Sequence, residues 1–158
     1  MAELLWEDVR DLFDPDLMGA LPDLEVADTS VADWQALFDL VGSMPGWSWR
    51  FADGPVGGPL PSAGAVFARS SDVDEVLRVW PVPGVEVVFR PWSEEVIDFD
   101  VDLRELQGQA GADTLCGLLS TIGRRLGRPV TMAAEGDLGY PVLGYDPVAD
   151  RVSKLVER

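Results

Sequence analysis

Asp98, Asp100 and Asp102 occupy every second position of the run Ile97-Asp98-Phe99-Asp100-Val101-Asp102-Leu103. In an extended strand that spacing sends the three carboxylates to one side, about 7 Å from one to the next, and Ile97, Phe99, Val101 and Leu103 to the other. Carboxylates so placed suit two chemistries. With a further ligand from another strand they can hold a divalent cation through oxygen; alone they form a charged strip that meets a row of Arg and Lys on a partner. Glu94 and Glu95 lie just upstream, and Trp92, between Pro91 and Ser93, is the aromatic best placed to be partly exposed beside them. An aromatic ringed by charge is the type of residue that anchors protein interfaces. The candidate partner-binding residues are therefore Asp98, Asp100, Asp102, Glu94, Glu95 and Trp92.

Other chemistries lack their residues. The chain has no histidine, which removes the usual general base near neutral pH and the commonest zinc ligand. Its one cysteine, Cys116, can form no internal disulfide, and the apolar stripe around it reads as the buried side of a helix. No serine sits in a Gly-x-Ser-x-Gly elbow, and no histidine is present to serve one as base. The glycine-rich stretches 54–58 and 136–139 lack the lysine and following helix of a phosphate-binding loop. Asp14-Pro15-Asp16 lacks calcium-loop spacing. No catalytic residue, metal-ligand set or cofactor motif is assigned, and the expectation is a protein that is not an enzyme.

Charge narrows the partners. Against 28 Asp and Glu stand 12 Lys and Arg, a formal net charge of -16, so the surface potential repels nucleic acid and anionic lipid. Residues 1–39 hold eleven acids and one base, Arg10. A basic protein is the partner this balance favours. A lone unpaired cysteine fits a reducing cytoplasm, and the acidic start of the chain lacks the basic and apolar regions of a signal peptide. Lys154 is the only lysine, a bias expected of a high-GC bacterial genome.

Some framework must position these groups. Leu4, Leu5, Val9, Leu12 and Phe13 recur at helical spacing and predict a helix over 3–13, ended by Asp14-Pro15. A loop through Leu21-Pro22-Asp23 leads to a second helix capped by Thr29 or Ser30, with Val31, Trp34, Leu37, Phe38 and Val41 on one face. The alternation in Trp47-Ser48-Trp49-Arg50-Phe51 predicts a strand, and the proline- and glycine-rich run 52–64 an exposed loop. Strands are expected over 76–82, 85–90 and 96–103, with connections short enough to require antiparallel hairpins. The longest helix spans 109–127, with Leu115, Leu118, Leu119, Ile122 and Leu126 facing a sheet. Strands at 129–134 and 141–145 follow, and 151–156 is a last strand or a terminal helix. The length suits one domain, 1–158, and the element order argues α+β: an antiparallel meander covered on one face by helices.

The segment Gly127-Arg128-Pro129-Val130-Thr131-Met132-Ala133-Ala134-Glu135-Gly136, followed by Pro141-Val142-Leu143-Gly144-Tyr145-Asp146-Pro147, resembles the C-terminal end of small acidic bacterial toxin-immunity proteins. The resemblance covers about thirty residues and carries no family site residues with it. It implies a cytoplasmic protein that binds and blocks a basic toxin. The expectation is thus a non-enzymatic acidic protein-binding domain of the immunity kind. The alternatives are a metal-dependent or small-ligand-binding domain built on clustered carboxylates, and a structural or adaptor homodimer.

Overall fold

The computed structural model describes residues 3–69 and 75–155. Its centre is an eight-stranded antiparallel sheet in the order β2-β3-β4-β5-β1-β6-β7-β8. The strands are β1 Asp23–Ala27, β2 Ser48–Phe51, β3 Leu77–Val82, β4 Val85–Arg90, β5 Val96–Val101, β6 Val130–Ala133, β7 Pro141–Asp146 and β8 Arg151–Lys154. The helices are α1 Trp6–Val9, α2 Pro15–Met18, α3 Val31–Ser43, α4 Ala63–Phe67 and α5 Gly108–Leu126. The expected α+β class is found, but as two meanders, β2 to β5 and β6 to β8, joined by β1 between them. Both β5 and β6 are antiparallel to β1, so they run in the same direction. A return of that kind needs a crossover, which α5 supplies.

Alternation along each strand sorts the side chains into two layers. Leu24, Val26, Leu77, Val79, Val87, Phe89, Ile97, Phe99, Val130, Met132, Leu143 and Tyr145 point to one face and are buried there. Phe89 stacks on Phe99 across β4 and β5, ring centroids 4.9 Å apart. α3 and α5 cover this face. Ser30 opens α3, with the Asp33 carboxylate accepting its backbone N–H at 3.0 Å, and Trp34, Leu37, Phe38 and Val41 are buried beneath. α5 buries Leu115, Leu118, Leu119 and Ile122, and passes so close to the sheet that a Cβ on Gly123 would lie 2.1 Å from the Tyr145 ring. It stops at Gly127, whose φ of 65° favours glycine.

Several expectations need correction. Residues 3–13 are not one helix: α1 is a single turn, continued by a 3-10 turn over Arg10–Phe13 that rotates Leu12 and Phe13 into the core. Pro15 does not simply end a helix; it stands at the first position of α2, where its missing N–H costs nothing. The loop through Asp23 is instead the start of β1, a central strand. The run 52–64 is a loop up to Ala63, where α4 begins. β5 ends at Val101, and a 3-10 turn takes over at Leu103–Glu105. Of the two readings of the last segment the strand is the one found, as β8; the expected end at Val156 lies outside the described residues.

Both sheet edges are covered. On β2, the Trp49 carbonyl accepts the Gly57 N–H at 2.8 Å and the Trp49 indole donates to Gly58 at 2.9 Å, so the glycine-rich loop folds back along the strand. On β8, the Glu3 carboxylate accepts the Val152 N–H at 2.6 Å and the Ser120 hydroxyl at 3.1 Å. Among the described residues no helix is long and apolar enough to cross a membrane.

Candidate functional site

The second face of the sheet carries no helix among the described residues, and its centre is acidic. β1 reads Asp23-Leu24-Glu25-Val26, and β5 reads Ile97-Asp98-Phe99-Asp100. Because both alternate, the apolar residues that anchor each strand in the core force the acids outward. The register then sets Glu25 directly opposite Asp98, and Asp23 directly opposite Asp100. Val88 and Arg90 of β4 frame the four carboxylates on one side; Thr131 and Ala133 of β6 frame them on the other. All four acids are half-buried.

Like charges set opposite each other on a sheet disfavour ionisation. Burial, then the Asp98 and Asp23 carboxylates, hold Glu25 above the ordinary carboxylate range. Asp98 is raised by burial and by Asp23 and Asp100, against the opposing pull of Arg90. Arg90 bridges to Asp100 at 2.9 Å, and its guanidinium lies 5.4 Å from the centre of the Trp92 ring. Asp23 also accepts the Gly136 N–H at 2.8 Å, which ties the β6–β7 turn to β1. A patch of this kind attracts cations.

Of the six residues singled out from sequence, Asp98 and Asp100 enter this patch directly. Trp92 joins through Arg90 and is 63% exposed, as its position between Pro91 and Ser93 suggests. Its turn is held firmly: Trp34 Nε1 donates to the Ser93 carbonyl at 3.0 Å, Thr29 Oγ1 to Glu94 at 2.8 Å and the Thr29 N–H to Glu95 at 3.0 Å. Glu94 and Glu95 therefore present exposed carboxylates from a fixed loop beside the patch. Asp102 stands apart. It lies past the end of β5, caps the following turn by accepting the Arg104 N–H at 3.0 Å, and pairs with the Arg104 guanidinium at 2.7 Å. The Arg104 guanidinium and N–H hold its carboxyl below the ordinary range.

Asp23, Glu25 and Arg90 escaped the sequence reading. The signal was the same acid-apolar alternation seen in β5, repeated over only four positions of a segment read as loop. Among the described residues, no group of three or more Asp, Glu or Cys side chains is arranged to hold a metal ion. Cys116 is buried in α5, and burial, followed by Glu3 and Asp113, pushes its thiol up to about 12. A thiol so protonated at neutral pH is a poor nucleophile. At the β2–β3 end of the same open face, Trp80 and Ser48 with Val56, Pro83 and Gly46 line a cleft of about 390 Å³. Comparisons of the chain with protein-family models, with curated proteins and with solved structures found no match.

Proposed function

We propose that this chain is a non-enzymatic protein-binding domain that takes a basic protein on the open face of its sheet in the cytoplasm, and within that class an immunity protein that neutralises a basic bacterial toxin. The observation that carries the reading is the patch on β1 and β5. Four carboxylates are gathered from two distant stretches of chain onto a face that no helix covers among the described residues. Opposing like charges are an arrangement that stability alone disfavours. A basic partner supplies the missing counter-charge, and the net charge of -16 steers its approach. Trp92, Glu94 and Glu95 extend the surface along one rim.

The test is retention of a basic protein from host lysate at low and high salt, compared between the native chain and the pair Asp98→Lys, Asp100→Lys. One basic protein should be held at low salt, released by salt, and lost from the charge-reversed variant. Asp102→Lys should retain it, because Asp102 is engaged with Arg104. Equal retention by the native and Asp98→Lys, Asp100→Lys chains overturns the reading.

A second reading, small-ligand binding, is favoured by the cleft floored by Trp80, whose volume reaches the lower range of small-molecule sites. A thermal shift with small aromatic compounds, abolished by Trp80→Ala, would support it.

A further inference from the structure

A second cleft lies between α2 and the β6–β7 turn, with a volume of about 180 Å³. Its interior is apolar: Leu12, Met18 and Val142 are 3–6% exposed. Its mouth is not. Asp11 and Asp137 line it together with Tyr140, which is 77% exposed. The segments that form it, 10–18 and 134–142, hold five acids and a single base, Arg10. Neither the Asp11 nor the Asp137 carboxylate has an ion-pair or hydrogen-bond partner among the described residues.

The walls are fixed before anything binds. Asp14 caps α2 by accepting the Asp16 N–H at 2.9 Å. Glu135 then joins the two walls twice, donating its N–H to the Met18 carbonyl at 2.8 Å and accepting the Leu21 N–H on Oε1 at 2.9 Å. Gly19 makes this approach possible: its φ is 79°, and a Cβ there would lie 2.5 Å from the Glu135 Cβ. The turn itself closes through Asp137 N–H to Ala134 and Tyr140 N–H to Asp137, at 2.8 and 2.9 Å. A site held this rigidly needs little ordering on binding.

The volume is below the range of drug-sized ligand sites, about 300 Å³ and upward, but it accommodates one long side chain. Apolar walls under an acidic mouth match a side chain with an aliphatic stem and a cationic head. Tyr140 adds an aromatic face against which such a cation is stabilised. We infer that this cleft is an anchor site for a single arginine or lysine side chain of a basic protein partner, with the stem on Leu12, Met18 and Val142 and the cation at Asp11, Asp137 and Tyr140. Its lining shares no residue with the patch on β1 and β5, although the β6–β7 turn that walls it also bonds Asp23 through Gly136.

The test is a titration of the isotope-labelled full chain with the peptide acetyl-Gly-Leu-Arg-Leu-Gly-amide, followed by amide chemical shifts. Saturable shifts are expected over residues 11–18 and 134–142 at millimolar peptide. The citrulline counterpart, which keeps the shape and drops the charge, should bind about tenfold more weakly. So should the native peptide to the pair Asp11→Asn, Asp137→Asn, and Tyr140→Ala should weaken it independently. Each variant's fold is checked by unchanged shifts elsewhere in its spectrum. Asp98→Lys, Asp100→Lys should leave this binding unchanged, which separates a failure here from a failure of the sheet-face reading. Shifts centred on residues 23–25 and 98–100, equal binding of the citrulline peptide, or no shift at all would each overturn the inference.

Discussion

Glu25 and Asp98 face each other across β1 and β5, and removing either charge should make the protein more stable. Side chains directly opposite in an antiparallel pair have Cβ atoms about 5 Å apart. Two unit charges at about 5 Å repel by roughly 0.8 kcal/mol at the dielectric of water and roughly 3 kcal/mol at an effective value of 20. Both groups are half-buried and can splay towards solvent, so the lower end applies, in keeping with cross-strand effects of about 0.2–1 kcal/mol. Glu25→Gln should therefore stabilise by about 0.5–1 kcal/mol, including relief of its desolvation. Asp98→Asn should gain less, because it also gives up the attraction of Arg90. The double variant should gain less than the two singles together, by the size of the repulsion, since either change alone already abolishes it. Urea unfolding at pH 7.5 and low salt reads all three, and a melting rise of about 1–4 °C is the thermal equivalent. High salt should shrink the coupling. A destabilised Glu25→Gln variant, or gains that add fully, would refute the electrostatic account of the patch.

The same groups set a pH dependence. Glu25 and Asp98 are raised in the folded chain, so the penalty of ionising them is present at neutral pH and fades as pH falls through their folded values towards about 4. Asp102 is lowered by Arg104, and Asp150, after β7, by the hydrogen bonds it accepts from the Tyr145 hydroxyl and the Arg124 guanidinium, so the stability they lend is present above about 4 and is lost as pH falls below it. Urea midpoints should rise as pH falls from neutral towards the raised Glu25 and Asp98 values and decline under about 4, and the double variant Glu25→Gln, Asp98→Asn should flatten the upper limb; a midpoint that only falls as pH drops from neutral contradicts this. Two helix glycines should respond in opposite directions. Gly123→Ala forces a Cβ into the Tyr145 ring and should cost about 1–3 kcal/mol, whereas Gly117→Ala meets nothing within 4 Å and should gain up to about 1 kcal/mol. Thermal melts of the pair that moved together would disprove the close packing of α5 on β7.

Elements with long, regular periodicity were legible. α3 and α5 show their apolar faces at helical spacing, β5 shows strict alternation, and the short connections of β3–β4 and β4–β5 require hairpins, whereas the last segment reads as either a strand or a helix. The short elements were not. α2 and α4 have four and five residues, too few for a period to register, and exist because a proline or a cap starts them and tertiary contacts hold them. β1 was hidden differently. Its first residue, Asp23, reads as the end of a loop within an acid-rich N-terminal stretch, and only the apolar Leu24 and Val26, both buried, mark it as a strand. The patch was half legible for that reason: β5 announced its carboxylates, but nothing local says that a segment some seventy residues away lies against them. Asp102 shows the converse, where the alternation continues by one residue beyond the strand and a turn-capping role takes the side chain.

The placement of β1 also orders the assembly of the molecule. Each meander is built from strands consecutive within it, and apart from β2–β3, whose connection runs through α4, their pairing closes short loops. Joining β1 to β6 brings Leu24 against Met132, more than a hundred residues away along the chain, and closing a longer loop carries a larger entropic cost. Two half-sheets can thus gain hairpin structure early while their inner borders, β5 and β6, remain unpaired. In the finished sheet β1 covers both borders. On a ribosome β1 leaves first and can pair with β5 once that strand has emerged, but its other edge stays open until α5 and β6 follow, and an unpaired edge in a growing chain invites wrong pairing.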